Sequence, residues 1–397
     1  MNSDPSLKRS DGAELSVGIA TSGRFHLLDL ARELDSLGVN VRFYSYVSKR
    51  RAKSFGLPGR CHVALLPFLF PLVALERLTP RVLPRTIERL MSWALDVVII
   101  LRMRKCDVFI CMSGMYLLAA RFAKWRYGAL VHLHRSSRHI LSQQEILARL
   151  PDAMQVSPIT VRRELKSYVI ADRIIVPSRH VMESFAPWPE QASKLFLNPL
   201  GVDIENFPLR KVAAPSGQPT VLFVGQWSYR KGVDVLTEAI NALAGVRLIH
   251  VGAVVDAPFP NDPRFIHHDH TPQSKLPGFY QAAHVFVLPS REDGFGIVIS
   301  QALSSGLQVV CTDRTGGPDL AELPGLFRFV HTVPADDPEA LRAALVGALE
   351  GAIGENGVDP ITETERQMLG WRCHAVRDLK FMKELLMLRQ SAKGSGT

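Results

Sequence analysis

The chain has 397 residues, 47% hydrophobic and 21% charged, enough apolar material for two buried cores and unlike a disordered, fibrous or low-complexity protein. Its net charge of +9 is lopsided: residues 1–200 carry +13 and residues 201–397 carry −4. The five cysteines, Cys61, Cys106, Cys111, Cys311 and Cys373, are odd in number and lack zinc-like spacing. That excludes a disulfide scaffold and reads as buried free thiols in a reducing cytosol.

The N-terminus shows no apolar core followed by a small-residue cleavage site, so no secretory signal is expected, and the polar ends Met1–Gly12 and Ser391–Thr397 are expected to lie outside the ordered fold. "LSVGIA" (Leu15–Ala20) reads as a buried strand, "TSGRF" as a turn, and the helix that follows places Leu27, Leu30, Ala31 and Leu34 on one face before Gly38 ends it. "VNVRFYSY" alternates as a strand does. "ALLPFLFPLVAL" (Ala64–Leu75) and "WALDVVIIL" (Trp93–Leu101) are apolar but fall short of the roughly 20 residues a span requires. They sit in Lys49–Lys105, which holds 12 basic and 3 acidic residues. Such a segment suits an anionic surface. No recognition helix, aromatic RNA-binding set or zinc finger accompanies it, so the reading is an anionic membrane face and no nucleic acid.

"CDVFICM", "ALVHL", "RIIVPS" and "KLFLNP" continue the strands of the first half, with "MYLLAARFAKWRY" as a helix. At "GVDIENFPLRKVAAPSGQP" (Gly201–Pro219) Pro, Gly and Ser accumulate as in a linker. The alternation restarts with "TVLFVG", "VRLIHVG", "HVFVLPS" and "LQVVCT" as strands, and "GVDVLTEAINAL", "KLPGFYQAA", "FGIVISQALSSG" and "DPEALRAALVGALEG" as helices. The expected fold is α/β: two doubly wound, Rossmann-like domains facing a cleft, with ligands at the carboxyl ends of the strands.

Three strand-end loops of the second half share one chemistry. "VGQWSYRKG" (Val224–Gly232) places Arg230 and Lys231 before a helix, "REDGFG" (Arg291–Gly296) places acids and glycines before another, and "DRTGGPD" (Asp313–Asp319) follows a third strand. Free N–H groups at helix N-termini and nearby cations favour phosphate, while carboxylates accept from sugar hydroxyls. None of the loops is a Walker motif, and no D-x-D triplet occurs, so a metal is not required. "HHDH" (His267–His270) is expected in a loop and not as a metal site; "SSRH" (Ser136–His139) either touches an acceptor or caps a helix; His26 caps, packs or serves the site; Trp371 anchors the last helix.

"ADRIIVPSRHVMESF", "LNPLGVDIENF", "VGQWSYRKGVDVLTEAI" and "REDGFGIVISQALSSGLQVV" resemble, in order and spacing, the retaining family 4 glycosyltransferases of GT-B fold. "LGWRCHAVRDLKFMKELL" resembles their C-terminal helix, which crosses back to the first domain. The resemblance implies an acceptor-side domain over 14–202 joined by a crossing helix over 372–391, a linker over 203–219 and a nucleotide-sugar domain over 220–371. It implies that Arg230 and Lys231 hold the donor phosphates, that Asp293, or Glu292 in its place, contacts sugar hydroxyls, and that the amides of Gly294, Phe295 and Gly296 meet the phosphate end. His134 then approaches the sugar, Gly23 and Gly225 border the phosphates and Gln301 faces the ribose. The sequence departs from the family pattern at Gln226, where arginine is common, at Asp293 and at Gln301, where glutamates are usual. The implied function is transfer of a sugar from a nucleoside-diphosphate donor to a lipid-linked or polysaccharide acceptor in bacterial surface-glycan synthesis, without cofactor or metal, by a cytoplasmic protein peripheral to the inner membrane face. The departures motivate a rival: an inactive homologue acting as a binding or scaffold subunit.

Overall fold

All ten strands expected from the sequence form, and every strand pairing is parallel. The computed structural model describes residues 14–23, 25–68, 84–151, 155–210, 217–353 and 359–394. Most of "ALLPFLFPLVAL", part of the linker and most of both polar ends lie outside them. In chain order the strands are β1 Ser16–Ala20, β2 Asn40–Ser45, β3 His62–Ala64, β4 Val108–Met112, β5 Leu130–His134, β6 Arg173–Val176 and β7 Leu195–Leu197, then β8 Thr220–Val224, β9 Arg247–Val251, β10 Phe265–His268, β11 Val285–Leu288, β12 Gln308–Thr312 and β13 Val330–Val333. The unanticipated strands β3, β10 and β13 are three or four residues long, and each includes a histidine that masks its apolar signature.

The first sheet runs β3-β2-β1-β4-β5-β6-β7 and the second β10-β9-β8-β11-β12-β13. Each order reverses direction once, beside β1 and beside β8, and the loops leaving those strands flank the crevices where such sheets bind ligands. Buried strands such as "TVLFV" and "VFVL" read as continuous apolar runs because helices cover both sheet faces. The helices are α1 His26–Ser36, α2 Lys49–Ser54, α3 Pro84–Arg102, α4 Leu117–Tyr127, α5 Ile140–Ala148, α6 Pro158–Ile170, α7 Arg179–Glu183 and α8 Pro189–Ala192 in the first half. The second half has α9 Val233–Asn241, α10 Leu276–Ala282, α11 Ile297–Ser304, α12 Gly317–Ala321, α13 Pro338–Ile353, α14 Glu363–Met368 and α15 Trp371–Gly394.

The run "WALDVVIIL" lies in α3, where buried Asp96 accepts from the Ala119 amide (2.9 Å) and from Arg163 (2.8 Å). That acid ties α3 to α4 and α6. Among the described residues no helix is long and apolar enough to cross a membrane.

The last helix, α15, returns to the first domain. Ala375, Leu379 and Met382 share one core cluster with Leu27 and Leu30 of α1 and with Val17 and Ile19 of β1. The return is pinned at Trp371, buried as the sequence suggests: its amide donates to Val202 O (3.3 Å), and a side chain on Gly201 would lie 2.5 Å from the Trp371 backbone.

Candidate active site

On the second domain, two adjacent ion pairs line the loops that leave β8 and β11. Arg230 donates to the carboxylate of Glu292 (3.1 Å) and to its backbone oxygen (3.0 Å), and Lys231 pairs with Asp293. The glycine after Lys231 is required. Gly232 sits at φ 69°, and a Cβ there would stand 2.0 Å from Pro289 O. That close approach seats the "RKG" turn directly on the "REDGFG" loop, and the Arg291 amide donates to Arg230 O (3.0 Å). Asp293 also accepts from the amides of Gly296 (3.1 Å) and Phe295 (3.4 Å) at the start of α11. The Lys231 charge beside it holds its carboxyl below the usual range against the effect of burial. Both Asp293 oxygens are therefore engaged. Glu292, 1% exposed, keeps Oε1 without a partner among the described residues, so of the two acids Glu292 has the oxygen available to accept from a hydroxyl.

The first domain presents neutral imidazoles instead. β5 carries His134 to its carboxyl end, where the ring meets His26 at the start of α1 (Nε2 to Nδ1, 3.2 Å) and lies 6.4 Å, centroid to centroid, from His374 of α15. Burial lowers all three: His26 to about 4, His374 to about 3 and His134 well below the ordinary value. Uncharged at neutral pH, the His26–His134 pair shares one hydrogen bond, and the buried His134 Nε2 has no partner among the described residues. His26 therefore belongs to this cluster, touching His134 as well as opening α1. Gly23 lies in the same loop and has room for a Cβ, with its nearest neighbour at 3.8 Å, so packing alone does not require glycine there.

The walls meet beside this cluster. A Cβ on Gly294 would stand 1.6 Å from Ser136 O, two residues beyond His134, and Ser178 Oγ donates to Gly294 O (2.6 Å). The Arg179 amide donates to Asp319 of α12 (3.1 and 3.2 Å), and its guanidinium pairs with Glu322. Burial pushes Asp319 up to about 6. The structure thus brings together Arg230, Lys231, Glu292, Asp293 and Gly294–Gly296, and seats Gly294 against Ser136, two residues beyond His134. Gly225, at the end of β8, is drawn toward β9: its carbonyl accepts from His250 Nε2 (2.9 Å). Gln301 points elsewhere. It is 5% exposed, and its Oε1 accepts from the Tyr280 hydroxyl (2.8 Å) inside the domain.

Of the open readings, His139 resolves as a cap: it accepts from the Leu141 amide and stacks on Trp188 at 3.6 Å. His267 and His268 lie in strand β10 rather than a loop, with His267 on His250 (2.9 Å) and His268 against Phe279. No group of three potential metal ligands occurs among the described residues. Sequence reasoning missed Ser178, His374 and Tyr280. Ser178 and His374 sit inside motifs quoted for the resemblance, but a hydrogen bond 116 residues away in the chain has no local signature.

Residues 24–206 match the family model described as Glycosyltransferase Family 4, and residues 218–351 match that of Glycosyl transferases group 1. Each half of the chain thus matches a glycosyltransferase model, and the two matches together run through both domains. It is 32% identical over 160 residues to a GDP-mannose-dependent alpha-mannosyltransferase of Mycobacterium tuberculosis, covering 38% of this chain and 42% of that protein. It is 28% identical over 167 residues to the sulfoquinovosyl transferase SQD2 of Arabidopsis thaliana, covering 38% of this chain and 32% of that protein. These matches span less than half of each relative. A D-inositol 3-phosphate glycosyltransferase of Thermobispora bispora aligns over 93% of this chain and 91% of its own length at 24% identity. Among solved structures, sucrose-phosphate synthase from Thermosynechococcus elongatus superposes with a TM-score of 0.69 at 17% identity, over 94% of this chain and 100% of that one. The Anabaena protein HepE in complex with UDP-glucose gives 0.61 at 14%, over 96% and 100%. The fold is GT-B.

Proposed function

We propose that the protein is a retaining glycosyltransferase that moves a sugar from a nucleoside-diphosphate donor to a lipid-linked or polysaccharide acceptor in bacterial surface-glycan synthesis. One observation carries the reading: Arg230 and Lys231 lie side by side with their paired acids at the N-terminus of α11, beside the neutral His134 cluster. Breaking the anomeric C–O bond puts charge on a departing diphosphate. Cations and the N-terminal end of α11 stabilise such charge once they exchange their acid partners for it, so the proposed reaction is written without a metal. The free Glu292 Oε1 and His134 Nε2 are the groups available to hold sugar hydroxyls. Two relatives support the donor class by name: the mannosyltransferase is GDP-mannose-dependent, and HepE was solved with UDP-glucose.

The membrane face fits the first domain. On α3, Leu90, Trp93 and Leu101 are exposed, Leu101 by 77%, at spacings that share one side of the helix. The Arg102 guanidinium lies over exposed Phe68 at 5.2 Å. Apolar and basic groups so mixed suit an anionic inner membrane surface, each basic residue near the lipid contributing about 1 kcal/mol. Binding to vesicles with phosphatidylglycerol should exceed binding to neutral ones and weaken with salt; equal binding refutes the membrane role.

The decisive experiment is a thermal-shift panel of UDP-, GDP-, ADP- and dTDP-sugars followed by transfer assays on lipid-linked acceptors. A ligand at 100 times its Kd stabilises by about 2.7 kcal/mol. One observation favours the second reading, an inactive scaffold homologue: Gln301 is turned into the domain where the family places an acid. Donor binding without transfer or hydrolysis would select it, and no response to any donor would defeat the first reading.

A further inference from the structure

A cleft of about 610 Å³ opens between α5 of the first domain and the loops that follow β11, β12 and β13 of the second. None of the residues assigned to the donor lines it. Four arginines do, and they are not equivalent. Arg291 is neutralised by Asp234 (2.7 Å) and Asp336 (2.5 Å). Arg149 stands four residues after Glu145 on the exposed side of the α5 end, the spacing at which such charges offset each other.

Arg138 and Arg314 remain, one from each domain. Arg138 is half-buried and held only by neutral groups: Nε donates to Ser142 Oγ (3.0 Å) and Nη1 to His180 Nδ1 (3.0 Å). The described acid nearest Arg314 is its neighbour Asp313, at 3.5 Å. Burial and the facing Arg314 charge hold the Arg138 guanidinium below its ordinary range. Two guanidiniums that feel each other's charge across a domain boundary, one half-buried and without an ion pair among the described residues, with only the more distant charges of Glu292, Glu183 and Glu145 to offset it, favour an anion between them.

We propose that Arg138 and Arg314 form a second anion site, adjoining the donor cradle at Asp293 but made of different residues, which takes a phosphate or diphosphate borne by the acceptor. Guanidinium forks match phosphate oxygens in geometry and bind them by charge-assisted bonds. An anion bridging the two would draw α5 toward the β12 loop, so acceptor binding would favour domain closure. The acceptor assignment rests on the glycosyltransferase reading; the anion site itself does not.

The probe is inorganic pyrophosphate, titrated by calorimetry at low salt into the wild type, Lys231→Ala and the double variant Arg138→Ala with Arg314→Ala. Lys231→Ala is expected to keep a pyrophosphate site that the double variant weakens at least about 100-fold, about tenfold per guanidinium, each tenfold being about 1.4 kcal/mol. Arg314→Ala alone, on an exposed loop, is expected to weaken it about tenfold, so the test survives if Arg138→Ala perturbs folding. Unchanged binding in both arginine variants, or a single site abolished by Lys231→Ala, overturns the proposal. Competition by farnesyl phosphate and by glucose 1-phosphate separates a lipid-borne from a soluble phosphate, and failure of both overturns the acceptor role. Pyrophosphate binding at the arginine pair with no sugar transfer would leave the site standing and defeat the transferase reading instead.

Discussion

The two faces of the cleft use opposite electrostatics. The first domain offers imidazoles kept neutral by burial, whereas the second offers full charges kept in place by pairing. Among the described residues, seven histidines packed in or against the first domain are lowered by burial: His26, His62, His132, His134, His139, His180 and, on α15, His374. The second domain has two, His250 and His331. A neutral dry face can position hydroxyls without competing for protons, while a paired charged face can hold phosphate yet stay compensated without it. On the transferase reading proposed above, sugar and acceptor contacts would fall to the first face and leaving-group stabilisation to the second.

Acid should break this comparison most strongly. Each lowered histidine binds its proton less readily folded than unfolded, so its stability contribution is complete above about pH 6.5 and is lost as pH falls toward its folded value. For His26 and His132 that value is about 4 and for His374 about 3. By pH 5 each removes about 2 kcal/mol, and three together approach the whole stability of a domain. The Lys231–Asp293 pair persists, because a lowered carboxyl gives way only in stronger acid. Hydrogen exchange at pH 5 should show the first domain losing protection before the second; loss in the reverse order refutes the assignment.

The charged face is tested by Lys231→Ala. If Lys231 stabilises the departing diphosphate, as proposed, turnover should fall about 100- to 1000-fold, as when one oxyanion-hole donor is lost. A change under about threefold would make Lys231 a structural partner of Asp293.

How much of this was legible differs between the faces for a physical reason. The second domain's site is built from short contiguous loops, each announcing itself by glycine next to charge, so Arg230, Lys231, Glu292 and Asp293 could be named from the chain alone. The first domain's site is assembled from β5, α1 and α15, far apart in sequence. His134 was visible as the end of an apolar strand, but its contacts with His26 and His374, 108 and 240 residues away, are tertiary. Alternation of strand and helix gave both sheets; β3, β10 and β13 were too short to register. The role expected of Gln301 came from the resemblance, which could not show that Tyr280 would take its oxygen.

The return helix sharpens the contrast. Asp378 of α15 is fully buried, both oxygens lack partners among the described residues, and burial pushes it up to about 7. Its raised value means that its contribution is present below the unfolded value near 4 and lost as pH rises through 7, opposite in sign to the histidines around it. Asp378→Asn should therefore stabilise the protein by about 2–3 kcal/mol at pH 8, that is three displaced pH units at about 1.4 kcal/mol each less the cost of burying an amide without partners, and have no benefit at pH 4. Equal effects at both pH values would mean that the carboxyl is neutral throughout or reaches water.

The smallest expected effect bears on the helix shared by fold and site. Gln301 lies on α11, whose N-cap Gly296 donates its amide to Asp293, yet its oxygen faces Tyr280, a fully buried ring whose hydroxyl also lies 3.5 Å from Val298 O. A neutral amide suits that position: it accepts the tyrosine hydrogen bond without bringing a charge out of water. Gln301→Glu keeps the acceptor and the shape, since the hydroxyl can donate to either oxygen, but places a carboxylate where the described structure offers no cation. The charged form should be disfavoured there, costing about 1–2 kcal/mol at pH 8 and progressively less toward pH 5 as the acid takes up a proton, a trend readable in the difference between variant and wild-type melting temperatures. Nucleoside-diphosphate affinity should change less than threefold, because a group turned toward Tyr280 is not the one meeting the ribose. If Gln301→Glu instead tightens nucleotide binding by about tenfold, or about 1.4 kcal/mol, with no loss of stability at pH 8, then the side chain swings out to the ligand. The glutamine would in that case be a weakened form of the family's acid rather than a fixture of the core.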